Sequence, residues 1–187
     1  LLSNLFIVII VSLSPTLSTP MYFFLTHLSF IDASLSSLNT PKITIDLLHQ
    51  RTTISWGGCL TQLFLEHFLG GSEIIVLIAM SCDRYVAICK PLHYTTIMRH
   101  GLCQLLVVVA WVGGLLHAIV QIHLVLDLPF CGPNVIDHFM CDFFSLMEIT
   151  CSNTYRLRIL VASNSRGNVL AHFLMLFISY IGILSSL

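Results

Sequence analysis

The sequence predicts an all-α, polytopic transmembrane helix bundle, and three observations lead there. Only 9% of the 187 residues are Asp, Glu, Lys or Arg and 56% are apolar, where an ordinary soluble domain carries about 25% charged residues. Mean hydropathy is +0.91. The few charges also leave long gaps: residues 21–41 hold only Asp32, and residues 102–125 and 167–187 hold none. Each gap is long enough to cross a hydrocarbon core of about 30 Å as a helix. A soluble globule could not cover its surface with so few charges. The composition therefore excludes a cytosolic enzyme, a disordered segment and a nucleic-acid binder, since eight scattered Lys and Arg form no basic patch.

The elements follow in order. The apolar run of residues 1–13 stops near Pro15; at about 1.5 Å per residue it reaches roughly 20 Å, short of a full span. It lacks the basic flank and small-residue cleavage site of a signal peptide, so it reads as the second half of a helix. Residues 14–19 form a polar turn, and Pro20 suits the first turn of a second helix over residues 21–47. A third helix covers residues 57–89; it is apolar apart from Glu66, His67 and Glu73 as far as Cys82. A short connection with Lys90 and Arg99 leads to a fourth helix at residues 102–125. The connection of residues 126–157 is long and carries Cys131, Cys141 and Cys151, a length that usually means function. A fifth helix covers residues 158–187. The chain is expected to be one transmembrane domain, 1–187, cut at both ends.

Two patterns orient it. Arg84, Lys90 and Arg99 lie close to the membrane between the third and fourth helices, which points that end to the cytoplasm. Cys59 and the three loop cysteines share the opposite end, which fits an oxidising outer face. Four cysteines there allow three pairings.

Several residues carry chemistry. Asp83 and Arg84 sit at the inner end of the third helix, where an adjacent acid and base can pair and lower each other's cost near hydrocarbon. The plainer alternative is an interfacial ion pair with a snorkelling Arg. Asp32 lies mid-span in the second helix, where an ionised group costs about 2.5–3.5 kcal/mol, so it should face a partner or water. Asn4 and Glu73 are the candidate partners; a neutral Asp hydrogen-bonded between helices is the alternative. Cys59, Glu66 and Glu73 are spaced seven apart and share one helix face. With Cys59 near the outer surface, Glu66 lies about 10 Å below it and Glu73 about 21 Å. Gly70 and Gly71 beside Glu66 and His67 either open a pocket or allow close helix packing. Asn164 and Asn168 are one turn apart on the fifth helix and can face the same pocket, or bond a neighbouring helix. No phosphate loop, nucleophile elbow or metal-ligand spacing is found, so neither enzymatic activity nor a cofactor is expected.

The string Met80-Ser81-Cys82-Asp83-Arg84-Tyr85-Val86-Ala87-Ile88-Cys89-Lys90-Pro91-Leu92-His93-Tyr94 closely resembles the signature of the olfactory (odorant) receptors, a branch of the rhodopsin-like G-protein-coupled receptors. Pro20-Met21-Tyr22-Phe23-Phe24-Leu25, Leu28-Ser29 with Asp32, Pro41-Lys42, Gly58-Cys59, the loop cysteines ten apart, and Ser179-Tyr180 resemble further landmarks of that family. Ser18 and Ser3 depart from its usual residues. The resemblance implies helices one to five of a seven-helix receptor in the plasma membrane. A small volatile odorant would bind among Glu66, His67, Gly70, Asn164 and Asn168. A heterotrimeric G protein of the stimulatory, olfactory type would engage at Asp83, Arg84, Tyr85 and Tyr180. Asn4, Asp32 and Glu73 would form an inner polar cluster, with a sodium ion near Asp32. The resemblance also selects the pairings Cys59–Cys141 and Cys131–Cys151. The rival reading is a non-signalling receptor fragment or pseudogene product lacking helices six and seven.

Overall fold

A computed structural model describes residues 1–14, 19–48, 54–130, 141, 143–148 and 150, together with residues 170, 173, 174, 177, 180 and 181. The chain is an all-α membrane bundle. Its described elements are α1 (Leu2–Leu13), α2 (Pro20–Leu48), α3 (Trp56–Cys89), a 3₁₀ turn (Pro91–His93), α4 (Tyr94–Ile97), α5 (His100–Leu126) and α6 (Phe143–Glu148). Helical backbone continues at Leu170, Phe173, Leu174, Phe177, Tyr180 and Ile181, inside the fifth apolar stretch. The six residues of α6 lie within the long connection, where no apolar periodicity announces a helix.

Local chemistry explains how polar residues sit in these helices. Along α2, Thr26, Ser34, Ser36 and Ser37 each donate a hydroxyl to the carbonyl one turn back, at 2.8–2.9 Å. Ser72 and Ser81 do the same on α3. Each hydroxyl is thereby satisfied without water. α2 continues through Pro41, whose ring removes one backbone donor from the ladder. Ser55 caps α3, its side chain accepting from the Gly58 backbone N–H at 3.1 Å.

α3 is the central helix. It packs most extensively on α5 and next on α2, while α1 packs on α2. The buried residues of α5 are Cys103, Val107, Ala110, Gly114, Ala118, Gln121 and Val125, one stripe at spacings of three and four. Most are small. The large apolar residues, including Leu105, Val109, Val112, Leu116 and Ile119, point outward. A soluble helix does the reverse; small residues inward and large ones outward suit a lipid surround. Both α3 and α5 are long and apolar enough to span a membrane.

The α3–α5 contact is tightest at Gly114. A methyl group built there would lie 2.8 Å from the Ser72 backbone nitrogen and closer still to the Ser72 hydroxyl oxygen. Gly71 faces it across the interface, where an added carbon would meet the Gly114 Cα at 3.2 Å. Trp111 of α5 completes this level between Phe68 of α3 and Phe30 of α2, with ring centroids 5.5 and 6.2 Å away.

Candidate functional site

The candidate residues fall at three levels along α3. At its first level a disulfide joins Cys59 to Cys141 across 82 residues, with Cα atoms 5.3 Å apart. Phe143, Leu146 and Met147 of α6 are buried against Cys59, Leu63, Val125 and Leu128, so the long connection is bolted over the ends of α3 and α5. Trp56 adds an edge-on contact to Phe130 at 4.9 Å. Cys131 and Cys151 lie outside the described residues.

Two turns along α3, Glu66 and His67 are half-buried. The His67 Nδ1–H donates to the Leu63 carbonyl at 3.0 Å, which leaves Nε2 as the free ring nitrogen. The His67 ring stacks on His117 of α5, with centroids 5.7 Å apart and planes at 26°. One turn along α5 from His117, Gln121 is buried, and its side-chain oxygen has no hydrogen-bond partner. Sequence reasoning found His67 but missed His117 and Gln121, because only the helix register brings them alongside. The two glycines have separate roles. Gly71 is a packing contact. Gly70 has open space where a side chain would stand, with nothing within 4 Å.

At the middle level, Asp32 of α2 and Glu73 of α3 lie within electrostatic reach of each other across the helix interface. Both are half-buried, and so is Asn4 of α1. Among the described residues no hydrogen bond joins Asn4 to either carboxylate.

At the last level, Asp83 is buried at 3% exposure while Arg84 and Tyr85 are exposed. The Tyr94 hydroxyl donates to the Asp83 carboxylate at 2.9 Å. The hydrogen-bond partner of Asp83 is therefore Tyr94, eleven residues on, rather than its neighbour Arg84. The reason is helical geometry: adjacent residues point about 100° apart. If Asp83 turns inward, Arg84 must turn out. Burial pushes the Tyr94 hydroxyl well above its ordinary range, and the bond to Asp83 and that carboxylate's charge push it further. Tyr94 thus stays protonated as the donor. Beside it, the turn at Pro91–His93 and α4 enclose a crevice of about 470 Å³ lined by Cys89, Lys90, Leu92 and Ile97, with Leu92 92% exposed. Tyr180 is helical and exposed. Asn164 and Asn168 lie outside the described residues.

Residues 3–187 match the family described as 7 transmembrane receptor (rhodopsin family). The chain is 53% identical over 184 residues to human olfactory receptor 4A5, covering 98% of this chain and 58% of that protein. It is 50% identical over 187 residues to human olfactory receptor 4S2, covering 100% of this chain and 60% of the relative. The chain thus spans about 60% of the length of the curated relatives it matches. The crystal structure of squid rhodopsin superposes with a TM-score of 0.75 at 23% identity, covering 98% of this chain and 47% of that one, which supports the bundle fold. With a third helix bolted at one end and a buried Asp beside an exposed Arg at the other, the chain belongs to the rhodopsin family of seven-transmembrane receptors, and its curated relatives within that family are olfactory receptors.

Proposed function

We propose that the chain is the helix-one-to-five part of an odorant receptor of the plasma membrane. A small volatile molecule binds inside the bundle at the level of Glu66, His67 and Gly70, with Asn164 and Asn168 contributing from the fifth helix. The Arg84 end faces the cytoplasm and couples to a stimulatory G protein through Asp83, Arg84, Tyr85 and Tyr180. The observation that carries this reading is the asymmetry of α3. Its bolted end offers half-buried polar groups beside open space at Gly70. Its other end holds a buried carboxylate through one hydrogen bond and leaves a guanidinium exposed. A ligand that binds one arrangement of the helices better than the other shifts the population of the Arg84 end. The Asp32–Glu73 pair supports a cation seat, with sodium as the occupant, since two carboxylates in an apolar surround favour a shared counter-ion.

An acid and an imidazole at pocket level favour polar ligands, including amines. The test is a panel of volatile ligands on the full-length receptor, read as cyclic-AMP production. Glu66→Gln should raise the half-maximal concentration for amine ligands about tenfold, the worth of one charge-assisted hydrogen bond. It should leave hydrocarbon ligands unchanged. An identical panel for the wild type and Glu66→Gln overturns the amine preference, and no response to any ligand overturns the receptor reading.

A further inference from the structure

At the level of Glu66, the interface of α3 and α5 holds polar atoms whose hydrogen bonds do not close. His67 and His117 stack with centroids 5.7 Å apart and planes at 26°. A carbonyl oxygen only accepts, so the Leu63 carbonyl, 3.0 Å away, fixes the hydrogen of neutral His67 on Nδ1. The His67 Nε2 therefore presents a lone pair. One turn along α5 from His117, Gln121 is 1% exposed, and its side-chain oxygen has no partner. Residues four apart on a helix are neighbours, so that oxygen is within reach of the His117 ring. Two acceptors thus stand beside one imidazole. A neutral ring has one N–H and serves one of them; an imidazolium has two and serves both. Gly71 leaves the ring room to turn, since a carbon built there would stand 3.4 Å from the His117 Cδ2.

The surrounding charges decide how many protons fit. Among the described residues, His67 is the titratable group that acts on His117. α5 has no Asp, Glu, Lys or Arg in residues 102–125, and at its outer end His123 and Asp127 pair with each other. α3 brings Glu66 beside His67 and, further along, Glu73, which Asp32 of α2 faces. α6 ends at Glu148. A second proton would set two cations 5.7 Å apart in an apolar surround, so the pair takes one.

We propose that His67 and His117 form a single-proton site, in which a protonated His117 donates to the His67 Nε2 and to the Gln121 carbonyl. Imidazole is the side chain whose ordinary charge change falls between about pH 5 and pH 8, so the site fills over a range that a watery outer medium covers. The site itself does not depend on the odorant reading. Its consequence for ligands does rest on that reading: the filled site puts a cation at the level of Glu66, so acid weakens amine ligands and leaves uncharged ones alone.

The test reads the proton directly. The full-length receptor in detergent is followed by deuterium exchange at the imidazole C2 hydrogens, measured by mass spectrometry from about pH 5 to about pH 9. His123, exposed on the same helix, is the internal control. His117 should titrate while His67 stays neutral. Gln121→Leu removes one acceptor, and His67→Phe removes the other but keeps a ring in place. Each should move the His117 midpoint to about tenfold higher proton concentration, the worth of one hydrogen bond. Each variant must keep the Cys59–Cys141 bond on a non-reducing gel, which separates a lost site from a lost fold. Three outcomes overturn the proposal: no titration of His117, full protonation of both rings at about pH 5, or a midpoint that neither variant moves. A second arm compares potencies at about pH 7.5 and about pH 5.5, where an aliphatic amine ligand stays charged throughout. Acid should weaken the amine about tenfold and leave an alcohol unchanged; that size lies between a charge's worth in water and at an effective dielectric of about 20. Proton uptake with unchanged amine potency overturns the link to the ligand and leaves the proton site standing.

Discussion

α3 and α5 are both long, apolar and packed against each other, yet they use their surfaces in opposite ways. α5 commits one stripe of mostly small residues, with Trp111 and His117 beside it, to its neighbours and turns many of its large aliphatic side chains to lipid. α3 has neighbours on several sides and carries Glu66, His67, Glu73, Asp83 and Arg84 along its length. The contrast teaches a division of labour. In α5 the sequence serves fit; in α3 it serves chemistry. Substitutions on α5 should therefore be either severe or silent, according to the face they strike. Those on α3 and its contacts should be graded and should alter response as well as folding.

The largest expected effect tests the fit. Gly114→Leu drives a branched side chain into the Ser72 backbone and the Phe68 carbonyl, which cannot give way as a flexible side chain can. The cost exceeds the roughly 1–3 kcal/mol of ordinary overpacking, because backbone of the facing helix is the obstacle. Surface expression of the full-length receptor should be lost, and normal expression would break the comparison. Next comes Cys59→Ser. Removing a disulfide that closes an 82-residue separation should cost about 2–5 kcal/mol. Thermal unfolding in detergent should report it, with Cys141→Ser equivalent and the double variant no worse than either single one. Tyr94→Phe comes third. It leaves the Asp83 carboxylate buried without its hydroxyl donor, at a cost of about 2 kcal/mol to the resting arrangement. Basal cyclic-AMP should rise while ligand potency at the far end holds. Basal output equal to wild type would deny the bond any role in holding the Arg84 end. The smallest effect belongs to the outward face of α5: Val112→Ala should change stability by under about 0.5 kcal/mol.

The helices were legible in the sequence because a hydrocarbon surround demands long uncharged runs, and few other patterns produce them. Cys59 and Cys141 were legible as members of a set of four, though the residues alone left three pairings open. What could not be read is whatever depends on register between helices. His117 and Gln121 have ordinary neighbours in sequence, and nothing local says which residue of α3 they meet. Gly113 and Gly114 did leave a signal: adjacent glycines in a span otherwise rich in Leu and Val indicate close helix approach. Tyr94 stood in the signature string, but its bond to Asp83 needs the reversal at Pro91–His93, which brings residues eleven apart into contact. The split between Gly70 and Gly71 was open in the sequence because adjacent helix positions face about 100° apart and only the packing tells which side is occupied.

The bolt at Cys59 has a mechanical consequence. Fixed at one end to the connection beyond α5, α3 is a lever with its pivot at the disulfide. Arg84 lies 25 residues further on, about 37 Å at the helical rise. A tilt of about 3° about the pivot carries Arg84 roughly 2 Å. Glu66, only seven residues from the pin, moves by about 0.5 Å. A displacement of less than a bond length at the level of Glu66 thus moves the far end by more than one. The same leverage works in reverse: a small force over a long stroke at the Arg84 end becomes a large force over a short stroke at the level of Glu66.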